Sequence, residues 1–161
     1  MAIGTNIGRP MLIVLPLALV ASACTAAPAT NATAVPEKSM TATLSADCAI
    51  VSAKIALLEE SLLTRAQLTP EAAEAKGPVS ELKAGDPRVK SLQALLDKTP
   101  LAPSEATSVD PRLVIRLACD NGRERLITGS ASHDGTMIVE MDGARYAAPA
   151  SLRRELEALL R

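Results

Sequence analysis

Three two-residue turn signals crowd into the stretch 112–149: Asn121-Gly122, Asp134-Gly135 and Asp142-Gly143. Each supplies the positive φ angles that a tight β-hairpin demands. The segments between them are short and alternating or β-branched, which predicts a four-stranded antiparallel meander. Two-residue turns also predict register, because facing residues share one side of a sheet. The first turn sets Leu117 opposite Leu126, Ile115 opposite Thr128 and Cys119 opposite Glu124. The second sets Ser130 opposite Val139 and Ser132 opposite Met137. The third sets Val139 opposite Tyr146. One face then collects Leu113, Ile115, Leu117, Cys119, Leu126, Met137, Val139, Met141 and Tyr146. The other collects Arg116, Arg125, Glu140 and Arg145, with Val114, Ile127 and Ile138 left among the charges.

Helical spacing flanks the meander. Val51, Ile55, Leu58 and Leu62 recur at a helical period, which predicts a helix over 46–65 with Ser45 as N-cap. Pro70-Glu71-Ala72-Ala73 opens a short helix that Gly77-Pro78 ends. Asp86-Pro87 starts another, with Val89, Leu92 and Leu96 as its stripe and Pro100 as its stop. Leu152, Leu156, Leu159 and Leu160 mark a last helix over 151–161, with Arg153, Arg154, Glu155 and Glu157 on its wet side. The expected class is α+β: a meander with N-terminal helices and a C-terminal helix packed on one face.

The first residues read as a targeting segment. Arg9 is the only charge before an apolar run from Met11 to Val20. That run is too short to span a bilayer stably and suits a signal h-region, so 1–23 is expected to be a signal peptide. Ala21-Ser22-Ala23-Cys24 follows. It resembles the bacterial lipoprotein signal, which implies diacylation of Cys24 and a membrane anchor; ordinary signal-peptidase cleavage before an unmodified Cys24 fits the same small residues. Residues 24–44 are rich in Ala, Thr, Pro and Ser without apolar periodicity, as a flexible tether would be. The folded domain is expected over 45–161. Thr25 stands where enterobacterial sorting places a non-Asp residue, which implies the periplasmic side of the outer membrane.

Composition removes several function classes. A net charge of −1 offers no basic stripe for nucleic acid. Tyr146 is the only aromatic residue, so stacking platforms for bases or sugars are missing and the core must be aliphatic. Three cysteines and one histidine show no metal-ligand spacing, and there is no Gly-rich phosphate loop, so neither metal nor cofactor is expected. If Cys24 is acylated, Cys48 and Cys119 are the remaining thiols, and an exported chain should join them.

Two surface features remain. His133-Asp134, with Ser130 and Ser132 nearby, is the one constellation that a small hydrolase could use, but it sits in a hairpin turn. The face carrying Arg116, Arg125 and Arg145, with Arg123 close, reads as a solvated outer surface or as a dock for an acidic partner or lipid headgroups. Cys119-Asp120-Asn121-Gly122, Asp134-Gly135 and the string from Val139 to Tyr146 resemble the front half of the membrane-bound inhibitors of C-type lysozyme. That resemblance implies a lipid-anchored periplasmic β-protein. It covers roughly 30 residues by its motif span, and the inhibitory loop of that family has no counterpart here. The expectation is a non-catalytic envelope module that binds or supports another component, with a lysozyme-inhibitor-like protein and a small envelope enzyme using His133 as the alternatives.

Overall fold

The computed structural model describes residues 42–161. Its centre is one antiparallel sheet of seven strands. These are β1 (Ile50–Leu57), β2 (Val79–Leu82), β3 (Ala102–Pro103), β4 (Leu113–Cys119), β5 (Glu124–Gly129), β6 (Thr136–Met141) and β7 (Ala144–Pro149). The spatial order is β2-β1-β4-β5-β6-β7-β3. The expected meander is present as β4 to β7, and three further strands extend it on both sides. The helices are α1 (Pro70–Lys76), α2 (Pro87–Lys98) and α3 (Ser151–Leu160). The α+β class therefore holds, with seven strands rather than four.

The largest correction is at 46–65. No helix forms there; Ile50–Leu57 is β1 and pairs with both β2 and β4. Ala53 and Ile55 are buried on one face of the sheet, Ala56 and Leu58 on the other. A strand covered on both sides loses its apolar alternation, and its run then mimics a helical stripe. Ser45 caps nothing. Its hydroxyl instead donates to the Asp97 carboxylate on α2. Leu44, expected in the tether, is fully buried in the core.

The three turns form where the sequence places them, but the first is one residue longer than expected and the ladder beside the second carries one extra residue. Gly122 N donates to Cys119 O at 3.0 Å, and Cys119 N donates to Arg123 O at 2.9 Å. Residues 120–122 thus make a three-residue loop with Gly122 at φ +76°. Leu117 consequently faces Arg125, not Leu126. At the second turn Asp134 and Gly135 both have positive φ, and His133 and Thr136 exchange backbone bonds of 2.7 and 2.9 Å, as a two-residue turn requires. An extra residue beside it then slips the ladder, so that Gly129 rather than Ser130 faces Val139. Val139 faces Tyr146, as predicted. The two slips cancel beyond β5. Only β5 is inverted: Arg125 and Ile127 turn inward, while Leu126 and Thr128 turn to the second face. Ile127 is fully buried, which removes the misfit that the expected register carried.

The main core lies between the sheet and the pair α2 and α3. Ile55, Leu113, Ile115, Leu117, Ile127, Met137 and Val139 meet Leu92, Leu96, Leu152 and Leu156 there. Asp86 caps α2 by accepting from Arg88 N at 2.9 Å, and Pro87 takes the first helical position. Arg153 of α3 was expected in water but is buried. Its guanidinium donates to Leu58 O and to Arg112 O, the latter at 3.2 Å, and to Glu157 at 3.0 Å. Cys48 and Cys119 are disulfide-bonded, with Cα atoms 5.1 Å apart. Cys48 holds this place from the turn ahead of β1 rather than from a helix.

A candidate binding groove on the second face of the sheet

The second face of the sheet is only partly covered. α1 is seven residues long and lies over β1 and β4. Thr69 caps it, accepting from Ala72 N at 3.2 Å, and Gly77 N closes it on Ala73 O at 3.0 Å. Ala73 and Leu68 pack with Ala56, Leu58 and Val114 in a small second core. Over β5 and β6 the cover passes to loops. Gln67 Nε2 donates to Val109 O at 2.6 Å, and Leu68 N donates to Asp110 Oδ1 at 3.0 Å. These two bonds tie the segment before α1 to the segment before β4, and together they make one wall.

Between this wall and the β6–β7 turn runs a groove of about 750 Å³. Leu126 and Thr128 of β5 and Glu140 of β6 form its floor. Leu126 lines it because of the β5 inversion described above. Glu124 and Asp142 stand at one end, and Arg145 borders it from β7. Arg145 Nε donates to Glu140 Oε2 at 2.7 Å, and its Nη1 donates to Ala106 O at 3.2 Å. Asp142 pairs at 3.2 Å with Arg125, which reaches it from the opposite face. Glu124 has no ion pair among the described residues. The lining thus holds three carboxylates, one guanidinium and no lysine.

Beside the groove, Lys54, Arg116, Glu71 and Glu74 form a closed charge cluster. Glu74 sits 2.8 Å from Lys54 and accepts from Arg116, which also reaches Glu71 at 3.0 Å. Burial pushes the Glu74 carboxyl up, but hydrogen bonds from Lys54 and Arg116 outweigh it and hold the group below its usual range. The same carboxylates raise the Arg116 guanidinium.

The four arginines expected on one outer face do not assemble. Arg116 is held by Glu71 and Glu74, and Arg145 by Glu140. Arg125 lies on the opposite side of the sheet, buried. Arg123 is exposed just beyond the 120–122 loop and has no ion pair among the described residues. The second face therefore carries paired charges of both signs rather than a cluster of free arginines. His133 is 92% exposed at its side chain and lies 3.3 Å from Asp134. Ser132 Oγ donates to Glu60 at 2.7 Å and Ser130 Oγ to Ala131 O at 2.8 Å, so neither serine is turned to His133. Cys119 is occupied by its disulfide. No group of three His, Cys, Asp or Glu side chains among the described residues could hold a metal ion. Cys24 and the expected signal peptide lie outside the described residues. No described helix is long and apolar enough to cross a membrane.

The groove itself was not legible in the sequence. Its walls come from the polar stretches 67–70 and 108–111, which carry no periodic signal, and its floor depends on a one-residue difference in turn length. No protein-family model, characterised protein or solved structure matches this chain.

Proposed function

We propose that this protein is a lipid-anchored component of the bacterial cell envelope. In this reading it is held through acyl chains on Cys24 and carries a non-catalytic binding module. The observation that carries the reading is the Cys48–Cys119 disulfide. Such a bond persists in oxidising compartments, which agrees with the apolar leader and Ala21-Ser22-Ala23-Cys24 ahead of it. The open groove over β5 and β6 supplies a surface for a partner. Thr25 after the cysteine favours the outer membrane, and the domain then works on the periplasmic side. Two experiments test this. Cys24→Ala should move the protein from the membrane to the soluble fraction; a variant that still fractionates with membranes sinks the anchor. A photo-crosslinker in place of Leu126 should capture one defined envelope protein from intact cells, and the same probe at Lys90 on α2 should not. Equal capture from both positions would remove the groove from the proposal.

A further inference from the structure

We infer that the groove over β5 and β6 takes an extended peptide segment with the pattern basic–x–apolar–x–basic; this rests on the proposed reading of the domain as a binding module. The floor sets the pattern. Glu124, Leu126 and Thr128 project from alternate positions of β5 on the same face, and Thr128 is paired across to Glu140. Four residue steps of strand cover about 13 Å. An extended peptide laid along β5 repeats its side chains at the same interval. A cation at its first position then meets Glu124. An apolar side chain two residues on meets the half-buried Leu126, and a second cation two residues further meets Glu140 Oε1, the oxygen that Arg145 does not take.

Charge complementarity selects this occupant over an acidic one. Among the described residues Arg145 is the one cation lining the groove; it binds Glu140 and Ala106 O, and Arg125 from the other face pairs with Asp142, so the unbalanced charge of the lining is the carboxylate of Glu124. Glu124 is exposed and unpaired among the described residues. An acidic segment would bring a like charge against Glu124, which opposes association. The apolar middle position excludes a purely charged ligand such as a polyamine, because the half-buried Leu126 would stay wet.

The test uses the full chain and three fluorescein-labelled peptides, read by anisotropy. The first has a Lys–Thr–Val–Thr–Lys core, the second replaces both Lys with Glu, and the third replaces Val with Ser. The first should bind saturably and weaken as salt is raised. The second and third should bind about tenfold more weakly or worse. Glu124→Lys should weaken the first peptide by about tenfold or more and bring the second closer to it. Lys90→Glu, on the helix face of the sheet, should leave both unchanged. Circular dichroism and an intact disulfide by mass confirm that each variant is folded. Absence of saturable binding by the first peptide, equal binding of the second, or indifference to Glu124→Lys overturns the inference. If crosslinking at position 126 still captures a partner when the first peptide fails, the binding module stands and the basic–apolar pattern falls. If the first peptide binds while Cys24→Ala stays with membranes, the groove stands and the anchor falls.

Discussion

Removing the Cys48–Cys119 bond should cost this domain a large part of its stability. The bond joins positions 71 apart in sequence. Chain entropy for a closed loop of that length gives about 4 kcal/mol at 25 °C. The described domain runs from residue 42 to 161, which is 161 − 42 + 1 = 120 residues. A chain of that size has an unfolding entropy near 0.25 kcal/mol/K at its midpoint, so the loss converts to a fall in Tm of roughly 15 °C. Both half-cystines are buried, so the reduced form also leaves two thiols in the core, where they pack as small apolar groups. The assay is a thermal melt of the oxidised protein, the fully reduced protein and the Cys48→Ala/Cys119→Ala double variant. Urea titrations should run alongside. The reduced chain should also show a larger m value, because its unfolded state is less compact. A Tm change under about 5 °C in both reduced forms, with reduction proven by mass, would refute the loop-entropy argument. Alkylation of both thiols without prior reductant would refute the bond itself.

Three further outcomes are expected. Gly129→Ala should cost about 1–2 kcal/mol in urea unfolding, because an added Cβ meets Met137 Cε at 2.5 Å and Leu113 Cδ2 at 3.2 Å; combining it with Met137→Val should recover part of that loss, and simple additivity would argue against the clash. Arg153→Leu should cost about 2–4 kcal/mol, since the buried guanidinium serves the Leu58 and Arg112 carbonyls; Glu157→Ala, which touches only the half-exposed edge of the same network, should cost under about 1 kcal/mol. Acid should weaken the fold through Glu74, whose folded pKa lies below its ordinary 4.5. The contribution is present above pH 4.5 and is lost as pH falls through the lowered folded value. Glu74→Gln should therefore flatten the acid limb of the stability profile, and an unchanged limb would assign it to other carboxylates.

Local signals in the sequence specify local structure here, whereas strand pairings that depend on a count of one residue are not specified by them. Asp134, Gly135, Asp142 and Gly143 adopt the positive φ angles that their residue types demand. Asp86-Pro87 and the Val89, Leu92 and Leu96 stripe sit where expected on α2, because capping chemistry and a one-sided burial pattern are both local. The loop after Cys119 is ambiguous in sequence because Asn-Gly fits both a two-residue turn and the end of a three-residue one, with Gly122 taking the positive φ in either case. That single residue decides whether Leu126 or Ile127 enters the core. The pairing partner of β1 lies far along the chain, and no local signal marks Ile50–Leu57 as a strand buried on both faces. The disulfide was legible because compartment and cysteine count constrain it independently of the fold around it. The groove was not, since its walls and floor meet only through tertiary contacts.

The pairing of β1 with β4 sets an order of events when the chain is made. Ile55 faces Ile115 across a separation of 115 − 55 = 60 positions. A chain that emerges N-terminus first presents β1, β2 and α2 long before the strand that should lie between β1 and β5 exists. During that interval β1 has apolar groups on both faces and an unsatisfied backbone edge, which is the profile of an aggregation-prone intermediate. Closing non-local strands must also overcome loop entropy before contacts reward it, so assembly of the sheet should be slow for a domain of this size. Cys119 is the last residue of β4, and its bond to Cys48 can form only once β4 has arrived beside β1. The oxidised state is thus a record that the central strands have met, and under an oxidant in excess the time course of disulfide formation on the refolding chain should follow the closure of β4 on β1.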